Sequence, residues 1–129
     1  MTSELLIIVN LSLFVVHELD AVRCREWRMI YGLNHLNDDT AYQLFAALHV
    51  PMLAVVLWFF VQANVEYRFW FEAAFDAFLI AHLGLHLAFA RHPKNRFSSR
   101  FSKAVIALMA LGGTLHGVLF ILINPQAVL

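Results

Sequence analysis

The residues of this sequence best suited to chemistry are its histidines. The chain contains seven, and five fall within long apolar stretches: His17, His49, His82, His86 and His116. An ionisable side chain is expensive to bury in an apolar segment, so it normally faces the interior of a helical bundle and serves a function there. Imidazole nitrogens are preferred ligands of zinc and of iron. These five histidines are therefore the predicted metal ligands.

The spacing of three of the histidines favours a metal site. His82 and His86 form an H-x-x-x-H pair, and residues four apart lie on the same face of a helix, where two imidazoles can chelate one ion. His17 and Asp20 are three apart, a spacing at which helical bundles present an imidazole and a carboxylate together. The sequence thus predicts a divalent metal, zinc or iron, between His17 and the pair, with one of the remaining two histidines as a further ligand.

Acidic residues accompany the histidines. Asp20 lies on the face of His17, whereas Glu18 lies ~100° further round the helix. Either one would serve as a ligand or as the general base on a metal-bound water, so both are predicted catalytic residues. Glu72 and Asp76 lie on one stripe of the third apolar stretch, and they are interpreted as a proton route or as hydrogen-bonded structure.

The polar groups stand in a chain that is otherwise apolar. Of its 129 residues, 61% are hydrophobic and 14% are charged, against roughly 45–50% and about 25% in soluble domains. A domain this small cannot hide that much apolar surface from water, and the same surplus excludes disorder. A net charge of zero offers no basic surface for nucleic acid. The single cysteine, Cys24, excludes a disulfide framework.

Four stretches are long and apolar enough to cross a bilayer, which takes ~20 residues. They cover about residues 5–22, 44–61, 69–89 and 104–123. The sequence therefore predicts an all-α fold, an integral membrane four-helix bundle that forms one transmembrane domain over residues 1–129. Asn37 precedes the second stretch as a capping residue, and Asn124-Pro125 ends the fourth.

The basic residues predict an orientation. Eight of the nine Lys and Arg residues lie in the segments after the first and third stretches, and only Arg68 lies between the second and third. Those two basic segments share one side of the membrane in any four-span chain. The positive-inside rule makes that side cytoplasmic, so both termini are predicted on the non-cytoplasmic side. Such basic loops also attract anionic lipid.

Depth in the bilayer brings the histidines together. Counting 1.5 Å per residue from the cytoplasmic ends places His17, His49 and His86 at ~8–9 Å, His82 near ~14 Å and His116 near ~18 Å. Gly113 and Gly117 form the small-x-x-x-small pattern that lets helices approach closely. The polar stripes and the close-packing face are therefore expected to converge on one buried cavity.

The string His17-Glu18-Leu19-Asp20, followed by Arg25-Glu26-Trp27-Arg28, resembles the opening motif of small uncharacterised bacterial four-helix membrane proteins of the H-x-x-E-E type. The similarity covers the chain in length, span number and a later histidine pair. This chain has Asp20-Ala21 where that motif has two adjacent acids. The resemblance implies a shared polar site but no reaction, and we expect a bacterial inner (plasma) membrane location.

Three functions stay open from the sequence. The first is a membrane metalloenzyme, a hydrolase or an oxidoreductase, acting on a membrane lipid or another apolar small molecule. The second is a b-type haem electron carrier with His17 or His49 opposite His86. The third is an accessory subunit, whose apolar faces meet a partner membrane subunit or a second copy of the chain. The first is favoured because haem ligation does not need the neighbouring acids.

Overall fold

The computed structural model describes residues 2–62 and 64–123, which form four long helices. They are α1 (Thr2–Cys24), α2 (Asp38–Gln62), α3 (Val65–Ala88) and α4 (Arg100–Ile123). All four are long and apolar enough to cross a membrane. The all-α fold with four candidate spans is thus confirmed, whereas the sidedness of the termini stays a prediction. The expected end of α4 at Asn124-Pro125 lies outside the described residues.

The loop before α2 sets where that helix begins. Asn37 caps α2, since its side-chain oxygen accepts the Thr40 backbone N–H at 2.9 Å. The helix therefore begins at Asp38, earlier than the predicted span at about residue 44. Two short 3-10 helices, Glu26–Arg28 and Leu33–His35, fill the connection from α1. This connection runs back over the end of the bundle instead of leaving it.

The four helices do not pack equally. Helix α4 packs along both α1 and α3, whereas α2 contacts mainly α3 and the 3-10 helices. Only 11% of the apolar span of α2 is buried within the protein, compared with 33% for α1. The interior of the bundle is therefore shared by α1, α3 and α4, and α2 turns most of its apolar surface outward.

Helices α3 and α4 approach closely at Gly113. A Cβ on this glycine would lie 3.1 Å from the Asp76 carbonyl oxygen and 3.3 Å from the Leu79 Cβ. A Cβ on Gly117 would lie 3.6 Å from an Asp76 carboxylate oxygen. The predicted close-packing face is confirmed, and it draws α3 with its polar stripe against α4.

Gly113→Leu is expected to lower the free energy of unfolding by about 1–3 kcal/mol, because the new side chain must push α3 away from α4. Gly84→Leu is the matched control, since nothing lies within 4 Å of a Cβ at that exposed position, and its effect should stay within about 0.5 kcal/mol. Reversible unfolding in mixed micelles measures both. Equal destabilisation at the two glycines would contradict the close approach.

Candidate metal centre

Three of the five predicted histidines converge near the end of the bundle that carries the basic loops. His17 lies on α1, and His82 and His86 lie one turn apart on α3. The Nε2 atoms of His17 and His82 are 2.7 Å apart, and those of His82 and His86 are 3.2 Å apart. His17 is completely buried, while the other two are half-buried. The i, i+4 pair thus meets a histidine from another helix.

A fourth donor, Glu26, completes this group. One ligand atom from each of His17, Glu26, His82 and His86 lies within 4.8 Å of the others. The sequence prediction missed Glu26, because this residue falls after the end of the first span. Its only signal in the sequence was its place in the string Arg25-Glu26-Trp27-Arg28, which follows the first histidine motif.

The backbone at Arg25 directs Glu26 to the histidines. Helix α1 ends at Cys24, and Arg25 takes the left-handed conformation with φ 55°. That conformation is typical of the residue after a helix, where glycine or asparagine normally stands. An arginine there is strained, so the surrounding structure must hold it. The turn lets the next 3-10 helix begin at Glu26 and brings the carboxylate back under the bundle.

The Glu26 carboxyl sits in an unusual electrostatic environment. Burial raises its pKa to about 7, the nearby Glu18 carboxylate raises it further, and His49 opposes the shift. A carboxylate is hard to keep ionised when it is desolvated beside another acid. A bound cation would supply the missing countercharge to Glu26.

Phe97 forms one wall of the centre. Its ring stacks on His17 with the ring centroids 5.6 Å apart and meets His86 edge-on at 4.5 Å. Asn95 fixes the loop, because its side-chain oxygen accepts the Phe97 N–H at 2.8 Å while its amide donates to the Phe89 carbonyl at 2.9 Å. Sequence reasoning also missed this residue, which belongs to the loop before α4.

The two predicted catalytic acids lie beside this group and are not members of it. Asp20 accepts a hydrogen bond from the Arg23 Nε at 2.7 Å. Glu18 pairs with His49, with the Oε2 and Nε2 atoms 2.6 Å apart. The other ring nitrogen of His49 donates to the Phe45 carbonyl at 2.7 Å. The structure therefore places His49 against Glu18, where it can act on the edge of the centre.

His116 belongs to a second polar cluster near the opposite end of the bundle. This fully buried residue lies 2.6 Å from Asp76 (Nδ1 to Oδ2) and 3.0 Å from Ser3 (Nε2 to Oγ). Glu72 lies 3.8 Å from the same Nε2 atom and accepts from Arg68 at 2.6 Å. Asp76 and Glu72, read from the sequence as a proton route or as structure, thus surround His116 instead of His82.

Asn10 occupies the interior between the two clusters. Its side chain is fully buried, and neither side-chain polar atom has a hydrogen-bond partner among the described residues. Gly112 makes room for it, because a Cβ on that glycine would overlap the Asn10 oxygen. The apolar side chains Ile7, Phe14 and Met109 also lie in this region of the bundle. The two histidine clusters are therefore separate sites.

The donor set fits a transition-metal ion. Three imidazoles and a carboxylate suit both zinc and non-haem iron. Tetrahedral ligation at ~2.0–2.1 Å separates two nitrogens by about 3.3 Å. The observed Nε2 separations of 2.7 and 3.2 Å are close to that value, so a small outward shift of His17 would admit an ion.

A cavity of about 210 Å³ adjoins the centre. Glu26, His82 and His86 lie on its wall, and the rest of the lining is mostly apolar: Met29, Ile30, Tyr31, Leu85 and Phe89. A small apolar molecule or one part of a lipid chain in this cavity would contact three of the four donors. The arrangement thus joins a metal-binding group to an apolar binding space.

Comparison with known proteins gives a family but no activity. Residues 3–123 match the profile of a family described as a family of unknown function (DUF6713). No curated protein and no solved structure matches the chain. The expected membership among uncharacterised small proteins is supported, whereas the H-x-x-E-E motif type is not confirmed.

Proposed function

The chain belongs to the DUF6713 family, whose function is unknown, and we propose that it is an integral membrane metalloprotein holding its ion with His17, Glu26, His82 and His86. One observation carries the proposal: the four donor groups come from α1, a loop and α3 to within 4.8 Å. An H-x-x-x-H pair is common by chance in a histidine-rich helix. The convergence of donors from three separate segments on one point inside an apolar chain is much less common by chance.

The apolar cavity supports an enzymatic role for this centre. A substrate in it would touch the wall formed by Glu26, His82 and His86. The apolar lining favours a membrane lipid or another apolar small molecule. Bound zinc or iron would supply a Lewis acid for hydrolysis or an oxidation centre, and the donor set suits both. Glu18, paired with His49, is the proposed general base.

The geometry favours a single ion over a b-type haem. A haem iron takes two histidines on opposite faces of a flat macrocycle. The ring centroids of His17 and His86, one pair expected to ligate haem, are only 5.0 Å apart, which leaves no space for a macrocycle between them. The outward apolar surface of α2 supports contact with membrane lipid, or with a partner membrane subunit or a second copy of the chain.

Element analysis of the purified protein in mild detergent tests the proposal. We expect about one zinc or iron ion per chain. The absence of zinc, iron, copper and manganese after gentle purification would overturn it. An absorption spectrum of the same sample should lack a Soret band, and the presence of that band would establish the haem alternative.

Comparing Glu26→Gln with Glu18→Gln tests which of the two neighbouring carboxylates binds the metal. The substitution keeps the side-chain shape but removes the anionic donor, so metal affinity should fall at least about 100-fold, more than loss of an outer partner usually costs. Glu18→Gln is the matched control, since Glu18 forms a hydrogen bond with His49 instead. Metal affinity in this control should fall by less than about 10-fold. Competition with a chelator of known affinity measures both. Equal losses would argue against Glu26 as a ligand.

A further inference from the structure

A cavity lined by cations lies beside the metal centre. It has a volume of about 280 Å³ and is formed by two segments that are far apart in the sequence. The lining residues are Arg25, Arg28, Pro93, Lys94 and Arg96. Four positive side chains thus face one space at the end of the bundle. Like charges are brought together this way only against electrostatic repulsion, which an anion in the cavity would relieve.

One carboxylate holds two of the four cations in place. Asp38 lies 3.1 Å from the Arg25 Nη1 and 2.7 Å from the Arg28 Nη2. Trp27 fixes this carboxylate by donating its indole N–H at 3.0 Å. Four cations and one carboxylate leave three positive charges that no acid in the cavity wall balances. Because Asp38 holds Arg25 and Arg28, these two guanidinium groups are already oriented before an anion binds.

A hydrogen bond from the Cys24 side chain holds the two segments against each other. The Cys24 thiol donates to the carbonyl of Arg96 at 3.5 Å, which ties the loop between α3 and α4 to the end of α1. The strained left-handed conformation of Arg25 lies at this junction. Strained backbone persists only where the surrounding structure holds it, and such positions cluster at ligand-binding sites. Lys94 and Arg96 have exposed side chains, so an anion can reach them from outside.

We propose that this cavity binds a phosphate group, supplied either by the headgroup of an anionic phospholipid or by a free phosphate. Guanidinium groups bind phosphate oxygens in a bidentate manner, and an ammonium adds a point charge. The basic segments are those predicted to face the cytoplasm, where anionic lipid is concentrated. The inference goes beyond the proposed function, since it stands whether or not the histidines bind a metal.

The position of the cation-lined cavity next to the metal centre would also orient a bound lipid. Two residues of the metal centre are sequence neighbours of residues that line the cavity. Glu26 follows Arg25, and Phe97 follows Arg96. A lipid whose phosphate sits among the cations would therefore have its ester groups near the metal centre. Its acyl chains would extend along the apolar surface of α3, beside the cavity that Leu85 and Phe89 line.

Two double variants of equal charge test the inference. Lys94→Gln/Arg96→Gln removes two cations from the cavity and leaves the arginines held by Asp38 unchanged. Arg91→Gln/Arg100→Gln removes two exposed cations that do not line it. Each protein is reconstituted in nanodiscs of phosphatidylcholine containing phosphatidylglycerol, and native mass spectrometry measures the phosphatidylglycerol retained. Titration with inorganic phosphate in pure phosphatidylcholine nanodiscs, followed by tryptophan fluorescence, is the second arm.

The cavity variant should lose at least tenfold in phosphatidylglycerol retention or in phosphate affinity, while the control pair stays near the wild-type value. Loss in the lipid arm alone identifies a headgroup, and loss in the phosphate arm identifies a free anion. Equal losses in both variants would overturn the inference in favour of general attraction between charges. So would the absence of binding in both arms. Lys94→Gln alone replaces the double variant if unfolding measurements show that the latter is unstable.

Discussion

His82→Ala is expected to abolish stoichiometric metal binding. The Nε2 atom of His82 stands between those of His17 and His86, at 2.7 and 3.2 Å. Its loss removes one of four donors and also the imidazole that both other rings contact. The three remaining donors come one each from three segments and hold an ion far less tightly, so affinity should fall by more than about 100-fold.

Element analysis of the wild type and the variant, purified in parallel, measures this effect. His92→Ala is the matched control, because His92 lies in the loop after α3 and its ring accepts only the Lys94 backbone N–H at 3.2 Å among the hydrogen bonds of the described residues. That variant should keep its metal. His82→Asn, which retains a polar side chain, guards against a loss caused by misfolding. Full metal content in both His82 variants would refute the proposed centre.

His116→Leu is expected to lower the free energy of unfolding by about 3–5 kcal/mol, because it leaves a buried carboxylate without its partner. His116 is the only hydrogen-bond partner of Asp76 Oδ2 among the described side chains, and the other carboxylate oxygen already has none there. Asp76 is 4% exposed, so water cannot replace the imidazole. Leucine fills similar space, which confines the effect to the lost interaction.

A double-mutant cycle checks that explanation. His116→Leu/Asp76→Leu removes both members of the pair, so it should be less destabilised than His116→Leu alone. Unfolding in mixed micelles measures the free energies. The folded fraction of His116→Leu should keep its metal, since His116 lies outside the group formed by His17, Glu26, His82 and His86. Loss of metal in this variant would return His116 to the set of ligands.

Local patterns account for what could be predicted. Hydropathy over about 20 residues identifies each span without reference to the others, and the four helices agree with it. The H-x-x-x-H spacing places His82 and His86 on one face because both residues belong to one helix. The depth estimate placed His116 deepest, but the expectation of one shared cavity was wrong, because His116 pairs with Asp76 in a separate cluster.

The depth of a residue in the bilayer does not say in which direction around the helix axis its side chain points. For this reason the sequence could not predict which side chains meet. His49 has nearly the same estimated depth as His17, yet its ring meets Glu18 at 2.6 Å. Glu18 lies ~100° from His17 on α1, so it faces α2 while His17 faces α3. Only the packing of α1 between its neighbours decides which side chain meets which.

The sequence by itself determined that this protein has four apolar helices with histidines buried among them. Those properties follow from composition and from the period of a single helix, which are local. The tertiary structure alone decided that His17 meets His82 and His86, that His116 pairs with Asp76, and that Glu26 completes the group. The close approach at Gly113 and the left-handed turn at Arg25 set these contacts. Their physical basis is the packing of distant segments, which no local pattern encodes.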